Sequence, residues 1–363
     1  KHPLDLVFCT NCSLVQLKET TSPRLLYTER YGYKSGISRT MRDELEDIVT
    51  KTRRLIVKSA KPTIVDIGAN DGTLLSFFPK RFLRIGVDPV KKFARECSLH
   101  ADIVINNYFS YEAYSGKAGR RKADVITAIA CFYDIDKLNK FISDVAKILN
   151  ADGVFVVQQN YLIEMLRNNA FDNIVHEHLT HFSLLALEKL LGRHDLEIFD
   201  VELREINGGS FRTYVSHRGK KPISESVYRL RTNERRLKMQ DKKLYDGFAR
   251  KVKLNGKKLN NFVKKVTKNG KQVYVYGAST RGNTLLQYYG LDNSLIKAAV
   301  ERNPEKWGKK IASVNIPIIS EKEAREKHPD YMLVLPWYFR GEFIKRERKY
   351  LERGGKFIFP LPE

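Results

Sequence analysis

The stretch Ile64-Val65-Asp66-Ile67-Gly68-Ala69-Asn70-Asp71-Gly72, answered by Ile85-Gly86-Val87-Asp88-Pro89, decides the fold. It reads as a buried strand, a glycine turn, a helix start and a second strand ending in a carboxylate. Gly68 and Gly72 let the backbone approach a ligand that a Cβ would push away. A carboxylate some twenty residues on, at the tip of the next strand, suits a ribose diol. The spacing is D-x-G-x-x-x-G rather than G-x-G-x-x-G, so a tight pyrophosphate cradle is missing. S-adenosylmethionine, which has a ribose but no phosphates, fits this pattern better than NAD. An ordinary strand–turn–helix corner is the alternative.

Working outward, strands and helices alternate: strands at 63–67, 83–87, 102–105, 124–128 and 153–158, with helices after Gly72, from Lys91 and over 136–149. This alternation predicts a doubly wound, mainly parallel α/β sheet. An amphipathic helix is expected over 41–58, ahead of the first strand. A second βαβ pattern opens at Gln272-Val273-Tyr274-Val275-Tyr276-Gly277 and continues through Ile296–Val300 and Tyr331–Leu335. The expected divisions are 1–40, 41–218, a basic helical connection over 219–268, and 269–363.

At 363 residues the chain is long enough for two or three domains with sizeable cores. No segment approaches the ~20 apolar residues of a membrane span, and no secretory leader is visible. Four cysteines, Cys9, Cys12, Cys97 and Cys131, do not resemble a disulfide framework. A reducing, cytoplasmic setting is expected, with Cys97 and Cys131 as core residues. The net charge of +23 is uneven: residues 218–271 hold nineteen Lys and Arg against four acidic residues. Such a stretch can attract nucleic acid. Its apolar residues recur at helical intervals, however, which predicts a helix pair with solvated basic faces.

Three further groups of residues carry potential chemistry. Cys9-Thr10-Asn11-Cys12 supplies half of a tetrahedral zinc site or a bare thiol pair. His176-Glu177-His178-Leu179-Thr180-His181 packs three imidazoles and a carboxylate into six positions, suited to proton transfer near neutral pH. Its spacing is not that of a zinc protease, because Thr180 stands where the second ligand belongs. A polar surface turn is the other reading. Gly277-Ala278-Ser279-Thr280-Arg281-Gly282-Asn283-Thr284 nearly spells a P-loop, but Asn283 replaces the lysine. It suits binding of a diphosphate without hydrolysis, or a plain glycine turn. Gly208-Gly209-Ser210-Phe211-Arg212 reads equally as a ligand contact or as a tight turn between strands.

Taken in order, these motifs resemble the nucleotide-sugar C-methyltransferases, which act on dTDP-linked 4-keto deoxysugars. The segment His2-Pro3-Leu4 through Leu17 resembles the second zinc knuckle of that family's N-terminal domain, so the chain is expected to start partway through it. Tyr31-Gly32-Tyr33-Lys34-Ser35 resembles the family's tyrosine-rich substrate segment. The resemblance implies a class I S-adenosylmethionine-dependent methyltransferase domain, a second Rossmann-like domain at the C-terminus and a small zinc-knuckle remnant with Cys9 and Cys12 as ligands. It implies His178 as the base that removes the proton at C3, Glu177 as its partner, and Tyr33 positioning the sugar or its enolate. Cofactor contacts would come from Asp66, Gly68, Asn70, Gly72, Asp88 and Asp124. Sugar-nucleotide contacts would come from Tyr31, Ser35, His176, His181, Ser210 and Arg212, and from Gly277, Ser279, Arg281 and Asn283.

The sequence departs from the family at Val175 and His181, where tyrosine is usual, at Tyr338 after Trp337, and at Arg281. These departures leave the acceptor open. A sugar O-methyltransferase, an RNA-binding or RNA-methylating protein, and a non-catalytic sugar-nucleotide binder are the competing readings. A monomer without membrane or nucleic-acid partners is expected.

Overall fold

The computed structural model describes residues 3–29, 31–56 and 60–362; His2 lies outside them. Its strands are β1 (Leu6–Phe8), β2 (Val15–Leu17), β3 (Thr63–Ile67), β4 (Leu83–Val87), β5 (Ile103–Ile105), β6 (Ala123–Ile129), β7 (Leu149–Asn160), β8 (Thr180–His181), β9 (Leu196–Arg204) and β10 (Ser210–His217) in the first part of the chain. They are followed by β11 (Val273–Tyr276), β12 (Ala299–Glu301), β13 (Ile318–Ser320), β14 (Tyr331–Val334) and β15 (Lys356–Ile358).

The chain divides into two compact units. The first holds residues 1–161, 176–204 and 210–238; the second holds 162–175, 205–209 and 239–363. The basic stretch forms two helices, Glu225–Arg236 and Lys242–Lys268, which fall in different units.

In the first unit a seven-stranded sheet runs in the order β5-β4-β3-β6-β7-β10-β9. β3 pairs in parallel with β4 and β6, β4 with β5, and β6 with β7, while β10 is antiparallel to β7 and β9. Every residue of β3 is buried, as expected for a strand covered on both faces. The chain order reverses at β3, so the carboxyl ends of β3 and β6 open a crevice where ligands of such sheets bind. Together these features match the sheet expected of a class I methyltransferase domain. The helix after Gly72 is one turn, Thr73–Ser76, and the helix expected over 41–58 is Arg39–Arg53. β9 is the edge strand, with exposed and half-exposed residues, while β10 lies between β7 and β9 and buries polar residues such as Arg212, so neither shows a plain apolar run in the sequence.

A small antiparallel sheet, β1-β2-β8, carries the Cys9–Cys12 turn at its hairpin. In the second unit five parallel strands run β13-β12-β11-β14-β15, a second doubly wound sheet. Among the described residues no helix is long and apolar enough to cross a membrane.

Two residues expected at ligands instead hold the first sheet together. Arg212 on β10 is fully buried. Its Nε donates to Gln158 Oε1 at 2.7 Å, one Nη to Glu44 at 2.8 Å and the other to Asp47 at 2.8 Å. Arg204 donates twice more to Glu44. Burial alone would raise the Glu44 carboxyl, but the two guanidinium groups overcome it and hold it below its usual range. Arg212 therefore staples the helix Arg39–Arg53 to the sheet. Asp124 accepts from Thr63 N at 2.8 Å and from Asn150 Nδ2 at 3.0 Å. It pins the starts of β3 and β6, about 16 Å of strand away from Ile129 at the other end. A residue at the amino end of a parallel strand cannot border a cofactor held at the carboxyl ends.

Asp66 lies in the middle of this sheet, accepting from Thr127 Oγ1 at 2.6 Å. Burial pushes its carboxyl up to about 7, with the charges of Asp88 and Asp71 adding to it.

Two outcomes are expected. Arg212→Ala leaves Glu44 buried beside a missing partner and lowers unfolding free energy by about 3–5 kcal/mol in urea titration; a ligand-contact role would leave stability nearly unchanged. Because folding raises the Asp66 carboxyl, the folded state binds more protons than the unfolded state between its ordinary value and about pH 7. Stability therefore falls across that window, by about 4 kcal/mol in total, and Asp66→Asn flattens the fall in a urea series run at several pH values.

Candidate active site

The glycine turn after β3 is closed by its own backbone. Gly68 N and Ala69 N both donate to Val87 O, at 2.8 and 3.1 Å. Asn70 turns left-handed at φ 50°, which aims its amide at the Asp88 carboxylate, 2.9 Å away. Val90 N donates to the other Asp88 oxygen at 2.8 Å. Burial raises the Asp88 carboxyl, and these two amides work against that rise.

The glycines prove to be packing devices as much as ligand devices. A Cβ on Gly68 would stand 2.9 Å from Cys131 Sγ, and one on Gly72 would stand 2.9 Å from the Cys97 backbone. Gly68 also faces the cavity described below.

Above this turn lies a cavity of about 570 Å³, within the range of small-molecule sites. Gly68, Asn70 and Asp88 line it; Asp66 sits one step behind them in β3. Cys131, expected in the core, is part of its wall. Its roof is the tyrosine-rich segment, including Tyr27, Tyr31, Tyr33 and Ser35. The same turn grips that segment: Ser35 N donates to Asn70 Oδ1 at 3.1 Å, Asn70 Nδ2 to Tyr33 O at 3.1 Å, and Gly36 N to Asp71 Oδ2 at 2.9 Å. A Cβ on Gly36 would meet that Asp71 oxygen at 2.7 Å. Tyr31 stacks edge-on against Phe93, and Tyr27 packs at 5.2 Å from Tyr31.

Beside the roof stands the His-Glu-His segment. β2 pairs with β8 so that Val15 opposes His181, and Leu17 N donates to Leu179 O at 2.9 Å. The loop after β6 completes the support, since Tyr133 O accepts from Leu179 N at 2.9 Å and from Thr180 Oγ1 at 3.2 Å. The His178 ring lies 4.3 Å from that of Tyr133. His176, Glu177 and His178 are half-buried. Burial holds the Tyr31 hydroxyl well above its usual range, and the charges of Glu177 and Asp134 add to the rise. It is therefore a hydrogen-bond donor at neutral pH.

His181, expected at the sugar, is buried in the small sheet at 2% exposure. Burial lowers its imidazole to about 4, so it stays neutral, and its Nε2 has no hydrogen-bond partner among the described residues. Both residues of β8, Thr180 and His181, are buried, so its place in the small sheet and not strand alternation puts His181 inside. Ser210 is likewise buried, paired between Asn160 and Arg204.

At the hairpin, Ser13 N donates to Cys9 O at 2.8 Å, and the amides of Cys12 and Asn11 lower the Cys9 thiol. A structural zinc needs four ligands. The two thiols supply half, and among the described residues no group of three or more His, Cys, Asp or Glu is placed to hold a metal. Cys9 and Cys12 are thus two of the four ligands that the expected zinc knuckle needs, a partial site as expected.

The second unit holds the remaining expected contacts. Gly277, at φ +93°, would place a Cβ 2.9 Å from Pro336. The amide that follows it, Ala278 N, donates to the Glu301 carboxylate at 3.1 Å. Ser279 caps the helix Thr280–Tyr288 through Gly282 N. Arg281 grips Asp172 through two nitrogens at 2.9 and 2.7 Å and lies over the Tyr338 ring. Asn283 Oδ1 is buried without a hydrogen-bond partner among the described residues.

Sequence reading missed Tyr27, Asp134 and the pair Tyr108–Phe109, all of which line the cavity. The last three follow the carboxyl ends of β6 and β5, the positions a parallel sheet offers to ligands. Tyr27 gave no such signal.

Comparison with known proteins gives two family matches: "Methyltransferase domain" over residues 33–201 and "C-methyltransferase C-terminal domain" over residues 205–362. C-methyltransferase NovU of Streptomyces niveus is 31% identical over 364 aligned residues, covering 99% of this chain and 86% of NovU. Among solved structures, the PH0226 protein of Pyrococcus horikoshii is 16% identical over 51% of this chain and 95% of its own, with a TM-score of 0.40. The plantazolicin methyltransferase BpumL in complex with SAH is 14% identical over 49% of this chain and 84% of its own, with a TM-score of 0.39. By its identity to NovU along nearly its whole length, this chain belongs to the C-methyltransferase family and is a methyltransferase that uses S-adenosylmethionine.

Proposed function

We propose that this enzyme methylates a carbon next to the ketone of a nucleotide-linked 4-keto sugar. The observation that carries this reading is the placement of Glu177 and His178 against the loop after β6, beside a cavity roofed by protonated tyrosines. The orphaned buried hydroxyl of Tyr27 and the carboxylate of Asp88, both in the cavity wall, fit S-adenosylmethionine, which is polar at its ribose and at its amino-acid end. Bound there with its ribose on Asp88, S-adenosylmethionine supplies an electrophilic methyl group.

A proton on carbon next to a ketone is acidified by that ketone, but a base is still needed at neutral pH. His178 takes the C3 proton, and Glu177 holds the charge that the imidazole then carries. The enolate places negative charge on the C4 oxygen. A hydroxyl held protonated by burial, as Tyr31 is, stabilises such an oxygen without losing its proton, and Tyr33 positions the sugar from the same segment. The β1-β2-β8 sheet sets the direction of the base, and the turn at Asn70 and Asp71 sets the height of the tyrosines. Neither support takes part in the reaction itself. Gly277, Ser279, Arg281 and Asn283 are proposed contacts of the nucleotide portion. Arg281 would keep that role only by sharing its guanidinium with Asp172.

The full chain is incubated with a panel of nucleotide 4-keto deoxysugars in D2O, with and without S-adenosylmethionine. Deuterium uptake at C3 is expected without the methyl donor and a carbon-bound methyl with it. His178→Ala should lose both by about 10²–10⁴-fold in kcat. Glu177→Gln should lower kcat and move its pH profile, because the carboxylate acts through the imidazole. A methylated product with no exchange and an oxygen-bound methyl would overturn the proposal.

A further inference from the structure

The proposed chemistry uses only part of the cavity wall. Because the sheet order is β5-β4-β3-β6, the cavity crosses the carboxyl ends of four parallel strands. It runs from Tyr108 and Phe109 after β5, past Asp88 after β4 and Gly68 after β3, to Cys131 and Asp134 after β6. A nucleoside with its ribose on Asp88 finds aromatic surface for its base on the β5 side. Whatever the 5′ position carries then extends the other way, toward β6.

Two groups wait at that far end. Tyr27 Oη and Asp134 Oδ1 are sealed from solvent, and neither has a hydrogen-bond partner among the described residues. The Tyr27 hydroxyl lies near the Asp134 carboxylate but outside strict hydrogen-bond geometry. Burial raises the Asp134 carboxyl well above its usual range; Tyr27 opposes the rise and the charge of Glu177 adds to it. The ammonium of Lys140, which also lines the cavity, is taken up by Asp144 at 2.6 Å and Glu112 at 3.3 Å. With only the Tyr27 hydroxyl beside it, the Asp134 carboxylate has no cation near it among the described residues, and a ligand cation with N–H donors stabilises it.

We propose that Asp134, with the Tyr27 hydroxyl beside it, receives the α-ammonium group of the methionine half of S-adenosylmethionine. Both residues line the cavity; once their side chains turn toward the ligand, the carboxylate accepts from the ammonium and the phenol oxygen accepts a second N–H. The assignment rests on the placement of ribose on Asp88, and the two can fail separately.

Calorimetric titration of the full chain with S-adenosylhomocysteine and with its deaminated analogue, S-adenosyl-4-mercaptobutanoate, tests it without turnover. The wild-type chain should bind S-adenosylhomocysteine about 10- to 100-fold tighter than the analogue, the range of a charge-assisted hydrogen bond. In Asp134→Asn that preference should shrink to about threefold or less. Affinity for the analogue should hold, which shows the cavity intact. Tyr27→Phe should give a smaller loss of the same kind. Full preference for S-adenosylhomocysteine in Asp134→Asn, or equal weakening of both ligands, would overturn the proposal. Asp88→Ala should weaken both ligands alike. If it changes neither, the ribose placement fails while the Asp134 result still stands as read.

Discussion

Everything in the first unit that concerns a ligand hangs on the two residues at the crest of the glycine turn. The left-handed Asn70 gives its amide to Asp88, fixing the carboxylate at the tip of β4. Its side chain, with that of Asp71, reaches the other way and captures the backbone of Tyr33, Ser35 and Gly36. Floor and roof of the cavity are thus tied through one dipeptide. The roof segment has little secondary structure of its own, one helical turn at Pro23–Leu26 and one at Ser35–Ile37, neither with a buried residue. Without these side-chain bonds its backbone groups would have few partners near the sheet.

A similar economy governs the histidine segment. Two residues of β8 would make a marginal strand alone. They are held because β2 pairs on one side and the Tyr133 carbonyl accepts two hydrogen bonds on the other. The hairpin bearing Cys9 and Cys12 thereby acts on the proposed base through backbone pairing.

Charge explains where the sequence misled. Arg212, Ser210 and His181 are polar residues close to glycines or to a histidine cluster, the usual look of a contact surface. In the structure they are among the most buried polar groups of the first unit. Arg212 is satisfied by Glu44 and Asp47, which precede it by well over a hundred residues. No local pattern could have shown that, because the partners meet only when the helix Arg39–Arg53 lies across the sheet. Asp124 misled for a different reason: its neighbours in sequence suggested the cofactor side, and strand direction put it at the wrong end. Asp134 and Tyr27 went unread because one is an aspartate outside any recognised motif, with Asp136 close by, and the other one tyrosine among several.

The sequence alone determined the alternation of strands and helices, the glycine turn with its distant carboxylate, and from these the class of fold and its methyl donor. Those features are local or nearly so: period, turn chemistry and the spacing between two strand tips survive as patterns in one dimension. Only the tertiary structure decided which polar residues face a ligand and which face one another. Burial and hydrogen-bond satisfaction depend on partners far apart in the chain, as Arg212 with Glu44 and Asn70 with Tyr33 show.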